Sequence, residues 1–306
     1  MDRLNAMSVL VAVAENGSFS GASRKLGAPL PTVSRKVAEL EAHLNAQLIT
    51  RTTRRLTLTG AGEAYVAACK RILEQVAEAE RAASGEYAAP RGDLVVAAPI
   101  VFGRLHVVPP INEFLGAYPE INVRLTLSDR NVPLVDDHID LAVRIGALAD
   151  SSLVATRVGA LRRVICASPA YLARVGVPKA PEDLAVLACV NFDGFTSSAA
   201  WTFGAKDKRA ERAVPIRVRL AVNTAEAAVD AAIAGIGITR VLSYQVAHAV
   251  AEGKLKIVLA AHEPEPVPIN LLYVGQSLLP LKMRAFLDFV APRIRERAAQ
   301  VDAMVR

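Results

Sequence analysis

Between Ser20 and Leu56 the chain carries seven basic residues, Arg24, Lys25, Arg35, Lys36, Arg51, Arg54 and Arg55, against two acids, Glu39 and Glu41. Hydroxyl groups are set among or beside them: Thr32, Ser34, Thr57 and Thr59. Guanidinium, ammonium and hydroxyl groups hold phosphate oxygens, and Arg, Ser and Thr also reach base edges in a DNA groove. The net charge of +6 over 306 residues points the same way, but the clustering carries more of the argument than the total does.

Residues that could do covalent chemistry do not assemble in the same manner. Gly60-Ala61-Gly62 begins like a dinucleotide loop, but Tyr65 stands where the third glycine belongs. Gly235-Ile236-Gly237 reads as a close helix–strand approach, and no G-x-S-x-G elbow is present. The histidines, His43, His106, His138, His248 and His262, never pair at metal-ligand spacing. Neither an enzyme nor a bound cofactor is expected.

The basic cluster needs a scaffold, and the spacing supplies one. Leu4, Met7, Val11 and Ala14 recur as one face of a first helix, which Asn16-Gly17 ends. Ser18 is an N-cap for a short second helix through Leu26, and Gly27 is the left-handed residue that closes it. A third helix runs from Leu30 to about Leu44, with Pro31 in its first turn and Val33, Val37, Leu40 and Leu44 on its inner side. Residues 47–51 and 55–59, joined by Thr52-Thr53-Arg54, alternate as a two-stranded ribbon. A long helix then extends from Gly60 to about Tyr87, with Tyr65, Cys69, Ile72, Val76, Ala79 and Ala83 at the period of a coiled-coil seam.

Ala88-Ala89-Pro90-Arg91-Gly92 marks a boundary. Beyond it, candidate strands at 94–98, 122–128, 141–145, 163–167, 217–222, 236–240 and 270–274 alternate with helical stretches, which predicts an α/β domain with largely parallel sheets. The cysteines, Cys69, Cys166 and Cys189, are odd in number and form no C-x-x-C pair, as suits a reducing cytoplasm. No apolar run approaches the roughly 18 residues needed to span a bilayer. The apolar stretch 9–14 behind Met1-Asp2-Arg3 falls short of a secretory leader of about 15–30 residues.

The order of residues adds to the pattern. Gly17-Ser18-Phe19-Ser20, Ala22-Ser23-Arg24-Lys25-Leu26, Thr32-Val33-Ser34-Arg35, Glu39-Leu40-Glu41, Leu48-Ile49, Arg51-Thr52, Arg55-Leu56-Thr57-Leu58-Thr59 and Gly62 closely resemble LysR-type transcriptional regulators. The likeness continues through Tyr118-Pro119, Asp140-Leu141-Ala142, Arg144-Ile145-Gly146, Ala167-Ser168-Pro169-Ala170-Tyr171-Leu172 and Gly235-Ile236-Gly237-Ile238.

The resemblance implies a sequence-specific regulator modulated by a small molecule. Residues 1–59 would form a winged helix-turn-helix, with the helix-turn-helix itself from Phe19 to Ala38. Residues 60–88 would form a linker helix that pairs two subunits. Residues 92–300 would form a two-lobed effector domain similar to type 2 periplasmic binding proteins, lobe I at 92–161 plus 268–300 and lobe II at 162–267. Implied partners are double-stranded DNA, the effector, and further copies in a homodimer or homotetramer, with RNA polymerase beyond them and no membrane. Pro31, Thr32, Ser34, Arg35, Lys36, Arg51, Arg54, Arg55, Thr57 and Thr59 would meet DNA. Pro99, Ile100, Val101, Ser128, Asp129, Arg144, Asn223 and Thr224 would line the effector cleft, with Arg130 beside them.

Two departures matter. The family commonly places Ser or Thr, then Gln, before the proline equivalent to Pro31, where this chain has Pro29 and Leu30. A cap and a base-reading amide are therefore missing. A Ser or Thr often follows the first effector-domain strand, where this chain has Pro99-Ile100-Val101-Phe102-Gly103. Backbone N–H groups there could still hold an anion. A solute-binding protein with an N-terminal interaction module is the competing reading, and it would lack steep salt dependence toward DNA.

Overall fold

The computed structural model describes residues 2–51, 56–84, 89–130, 134, 139–148, 153–192, 199–203, 212–275 and 279–305. The chain divides into two compact units, 1–89 and 90–306.

The first unit opens with α1 (Arg3–Asn16), α2 (Phe19–Leu26) and α3 (Leu30–Leu44). Asp2 caps α1 and Ser18 caps α2, each accepting from a backbone N–H three residues on. Gly17 and Gly27 take left-handed φ values of 61° and 60°, which side chains other than Gly rarely adopt, and so turn the chain sharply between helices. The buried face of α1 is not the expected one. Ala6, Val9, Leu10 and Val13 are buried, while Leu4 is 42% exposed and Met7, Val11 and Ala14 are half-buried. Helix α1 is apolar nearly all round, so helical spacing fits two faces; the face that docks against Val33, Val37 and Leu40 wins.

A two-stranded ribbon follows, β1 (Ile49–Arg51) antiparallel to β2 (Leu56–Leu58), with Thr50 opposite Thr57. Helix α4 (Gly60–Ser84) comes next. Its first turns belong to this unit's core through Gly62, Val66 and Cys69. A Cβ on Gly62 would lie 2.0 Å from the Leu48 carbonyl oxygen, so only glycine admits this contact between helix and ribbon. Farther along, Ile72 is 39% exposed and Leu73 and Val76 are half-buried. The side chain of Ala83 and residues 85–88 lie outside the described residues.

The described residues of the second unit form two five-stranded sheets and a two-stranded one. The first has the order β4-β3-β5-β14-β6, from β3 (Gly92–Ala98), β4 (Ile121–Leu127), β5 (Leu141–Ile145), β6 (Leu153–Leu161) and β14 (Val267–Val274). The second has the order β11-β8-β12-β7-β13, from β7 (Arg163–Ala167), β8 (Ala188–Phe192), β11 (Arg217–Val222), β12 (Ile238–Leu242) and β13 (Lys256–Val258). A hairpin of β9 (Ala200–Phe203) and β10 (Arg212–Pro215) accompanies it. Both sheets are mixed, which corrects the expectation of largely parallel ones. The chain leaves the first sheet through β6 and returns through β14, which runs antiparallel to both β5 and β6.

Among the described residues this unit's α-helices are α5 (Ile100–Phe102), α6 (Val108–Ala117), α7 (Pro169–Val175), α8 (Ala225–Ile233), α9 (Ser243–Ala251) and α10 (Leu281–Met304), with a π-helical turn Gly103–Val107 and 3-10 turns Pro181–Ala185 and Ala260–His262. One large core joins Val96, Leu141 and Leu271 of the first sheet to Phe114 of α6 and Phe286, Val290 and Ile294 of α10. Behind the second sheet, α8 and α9 bury Ala228, Ala232 and Val246 against Val164 and Val190. Cys166 and Cys189 are buried within these strands, and burial pushes both thiols up to about 12.

Candidate nucleic-acid interface and effector cleft

Burial of Val33, Val37 and Leu40 decides which side of α3 faces out. The exposed side carries Pro31, Arg35, Ala38 and Glu39, flanked by the half-buried Thr32, Ser34 and Lys36. Arg35 is 71% exposed and lies 3.7 Å from Glu39 one turn on. Lys36 donates to the Asn5 side chain of α1. Pro29 precedes α3 and no side chain caps it, as the departure from the family pattern implies. Lys25, counted above among the positive charges, is paired with Glu15 at 2.9 Å, and Lys70 meets the same carboxylate at 2.8 Å. Hydrogen bonds from Lys70 and then Lys25 hold the Glu15 carboxyl below its ordinary range.

The ribbon presents Thr57 to solvent. Thr59 is differently placed: its hydroxyl donates to the Gln47 carbonyl at 2.7 Å and accepts from the Gly62 N–H at 3.0 Å, capping α4. Glu41, read from sequence only as an acid, accepts from the N–H groups of Leu48 and Ile49 at 2.8 and 2.9 Å and ties α3 to the ribbon. Nothing in its local pattern announces that role, because its partners lie seven and eight residues on. Arg54 and Arg55 lie outside the described residues, as does the side chain of Arg51 at the end of β1.

In the second unit the structure brings together the first-lobe residues singled out from sequence. Pro99 leads from β3 into α5, and the Ile100 N–H donates to the Asp129 carboxylate at 3.0 Å. The Ser128 hydroxyl accepts from the Arg130 N–H at 3.1 Å, and Arg144 donates to the Arg130 carbonyl at 3.3 Å. Desolvation lowers the Arg144 pKa. Val101 turns its side chain into the core and leaves only its backbone for a ligand. On the second lobe Thr224 caps α8 by accepting from Ala227 at 3.3 Å, next to the exposed Asn223. Sequence reasoning missed the pair that joins these two sets, Arg104 to Glu226 at 3.0 Å.

A cavity of about 600 Å³ lies elsewhere, between β6 and α10, and is lined in part by Gly159, Ala160, Arg162 and Ala298. It contains none of the residues named from sequence. Arg162 there is committed to Glu263 through two hydrogen bonds of 2.7 Å and to the Val305 carbonyl at 3.0 Å. Among the described residues no three His, Cys, Asp or Glu side chains gather as a metal site requires. No helix of the described residues is long and apolar enough to cross a membrane.

A helix-turn-helix followed by a ribbon and a long helix, and a separate two-sheet α/β unit with paired lobes, define a DNA-binding regulator with a ligand domain. The family described as "Bacterial regulatory helix-turn-helix protein, lysR family" matches residues 4–63, and "LysR substrate binding domain" matches residues 88–295. An HTH-type transcriptional regulator of Xanthomonas campestris pv. campestris is 36% identical over 295 residues, covering 95% of this chain and 85% of the relative. The transcriptional activator AaeR of Escherichia coli is 31% identical over 288 residues, covering 94% and 93%. The solved structure of CrgA, a LysR-type transcriptional regulator from Neisseria meningitidis, is 32% identical with a TM-score of 0.59, covering 95% of this chain and 98% of that one. The chain belongs to the LysR family of transcriptional regulators. Its N-terminal helix-turn-helix binds DNA and its C-terminal domain binds an effector; members of the family act as regulators and form oligomers.

Proposed function

We propose that α3 reads the operator through Pro31, Thr32, Ser34, Arg35 and Lys36, while Arg51, Arg54, Arg55 and Thr57 of the wing hold flanking phosphates. The observation that carries this reading is the outward face of α3: three buried aliphatic side chains pin the helix and leave Arg35 exposed beside Thr32 and Ser34. A second helix of this kind enters the major groove with the residues near its start. Thr59 supports the wing through its cap, and a phosphate contact would be additional to that role.

In this account residues 1–59 are the winged helix-turn-helix, 60–88 the linker helix, and 92–300 the effector domain, with lobe I at 92–161 plus 268–300 and lobe II at 162–267. The partly exposed Ile72 and Val76 on α4 support pairing of two chains there, with a homotetramer and a contact to RNA polymerase in the cytoplasm as further steps. The effector lies among Pro99, Ile100, Val101, Ser128, Asp129, Arg144, Asn223 and Thr224. Asp129 already supplies an anion to the Ile100 N–H, so the effector brings a hydrogen-bond donor to that end of the cleft. Its binding shifts the population between states of the paired subunits that differ in DNA affinity.

The test is binding of the purified full chain to the DNA upstream of its own coding region and to unrelated DNA of equal length, at several salt concentrations. Tight binding to the first alone, with log K falling linearly in log salt, is expected. Weak, salt-insensitive binding to both contradicts the proposal.

A further inference from the structure

The helix that opens the first lobe changes pitch at Gly103–Val107, where it is π-helical between α5 and α6. Single π turns inside longer helices recur at functional positions. This one holds His106, which is only 9% exposed. Both of its ring nitrogens are fully shielded and have no hydrogen-bond partner among the described residues. Its ring centroid lies 4.9 Å from that of Phe102 and 5.7 Å from that of Tyr244, and Phe102 and Tyr244 meet edge to face at 5.2 Å.

Tyr244 belongs to α9, which follows β12 of the second sheet yet serves both lobes. Tyr244 and Ala247 pack in the first-lobe core with Phe102, Val107 and Ile294. Val246 and Ala249 of the same helix pack in the second-lobe core with Val164 and Val241. Helix α9 therefore joins the apolar interiors of the two lobes, and His106 sits where it meets the first.

The charged and titratable groups facing His106 come from both helices packed on it. Arg297 of α10, which donates to the Leu105 carbonyl at 3.5 Å, and His248 of α9 both oppose a positive charge on the imidazole. The Tyr244 hydroxyl accepts from Gln245 at 3.1 Å. On the π turn itself Arg104 is already paired with Glu226. An imidazolium at this seam would be buried without hydrogen bonds and beside a guanidinium, an arrangement that proteins avoid.

We propose that His106 is an acid-sensitive latch between the lobes: neutral, it lets α9 pack on the first lobe; protonated, it cannot stay in the seam, and that packing is released. Burial, then Arg297 and His248, hold its pKa down to about 4 in the packed state. A solvated imidazole titrates near 6.5. The equilibrium for the packed seam therefore weakens about tenfold per pH unit across that window, roughly 300-fold in all. Acid would then act on the packing between the lobes without occupying the cleft.

The test is hydrogen exchange of the full chain from pH 7.5 to 4.5, normalised to intrinsic rates, on the wild type and the His106→Phe and His248→Asn variants. Phenylalanine keeps an aromatic ring in the seam but cannot titrate. Protection of α9 and of the π turn should fall with acid in the wild type and in His248→Asn, and hold in His106→Phe. The same fall in His106→Phe, or its disappearance in His248→Asn instead, overturns the proposal. An NMR titration of the histidines in the wild type is independent of any variant's folding. A His106 signal that titrates near 6.5 with α9 protection unchanged also overturns it.

Discussion

Arg35 reaches into solvent with Glu39 3.7 Å away, an exposed i, i+4 pair of a few tenths of a kcal/mol, so a phosphate can take it over at small cost. Removing a cation that holds one phosphate should flatten the slope of log K against log salt by about 0.9. Arg51→Ala and Arg55→Ala should each do so while weakening binding to all DNA alike. Thr32→Ala or Ser34→Ala should instead change preference among sequences, by about 1–3 kcal/mol for a good base contact. Binding isotherms on operator and scrambled DNA separate the two. The outward face of α3 was legible in the sequence because Val33, Val37 and Leu40 mark its buried side and leave Arg35 on the other. What each interface residue does was less so: Thr59 caps a helix and Lys25 meets Glu15, partnerships that only the folded chain brings within reach. Asp129 is the same lesson in the cleft. Asp129→Ala should free the Ile100 N–H, so that small carboxylates raise the melting temperature of the variant at concentrations at least about tenfold below those the wild type needs. Equal responses would show that Asp129 does not select the effector.

The elements most legible in sequence were those with chemical punctuation. Ser18 and Gly27 bound α2, and the strands Arg163–Ala167 and Arg217–Val222 cover the residues their pattern marks. Leu153–Leu161 escaped, because it mixes Thr, Arg and Gly into its run. On α1 the spacing was present but fitted two faces. The junction of ribbon and α4 rests on interactions that can be broken singly. Thr59→Ala should lower the stability of the first unit by about 1 kcal/mol by removing the cap. Gly62→Ala should lower it by about 1–3 kcal/mol, because its Cβ meets the Leu48 carbonyl and the helix must move. Denaturant melts of the full chain followed on the transition of residues 2–89 would read both. A Gly62→Ala midpoint equal to wild type would mean that the close approach is absent.

At the scale of the molecule, pairing and pH become measurable. With chains paired along α4 as proposed, Ile72→Glu together with Val76→Glu should shift the sedimentation coefficient to that of a single chain and weaken operator binding, since two linked heads bind two half-sites far more tightly than one. For the second unit, the unfolded chain takes up the His106 proton near pH 6.5 while the folded one does not until about 4. The contribution of neutral His106 to the packed state is therefore fully present above 6.5 and is lost as pH drops through that window, by on the order of 3 kcal/mol, then levels off. Small-molecule binding and DNA binding should be coupled in one chain. The direct measurement is operator affinity of the full chain with and without a saturating compound that raises its melting temperature in the wild type and fails to in an Asn223→Ala, Thr224→Ala double variant. Operator affinity should change by about 5–150-fold, matched by an equal change in the compound's affinity when DNA is bound. A compound that binds the cleft and leaves operator affinity unchanged would contradict it.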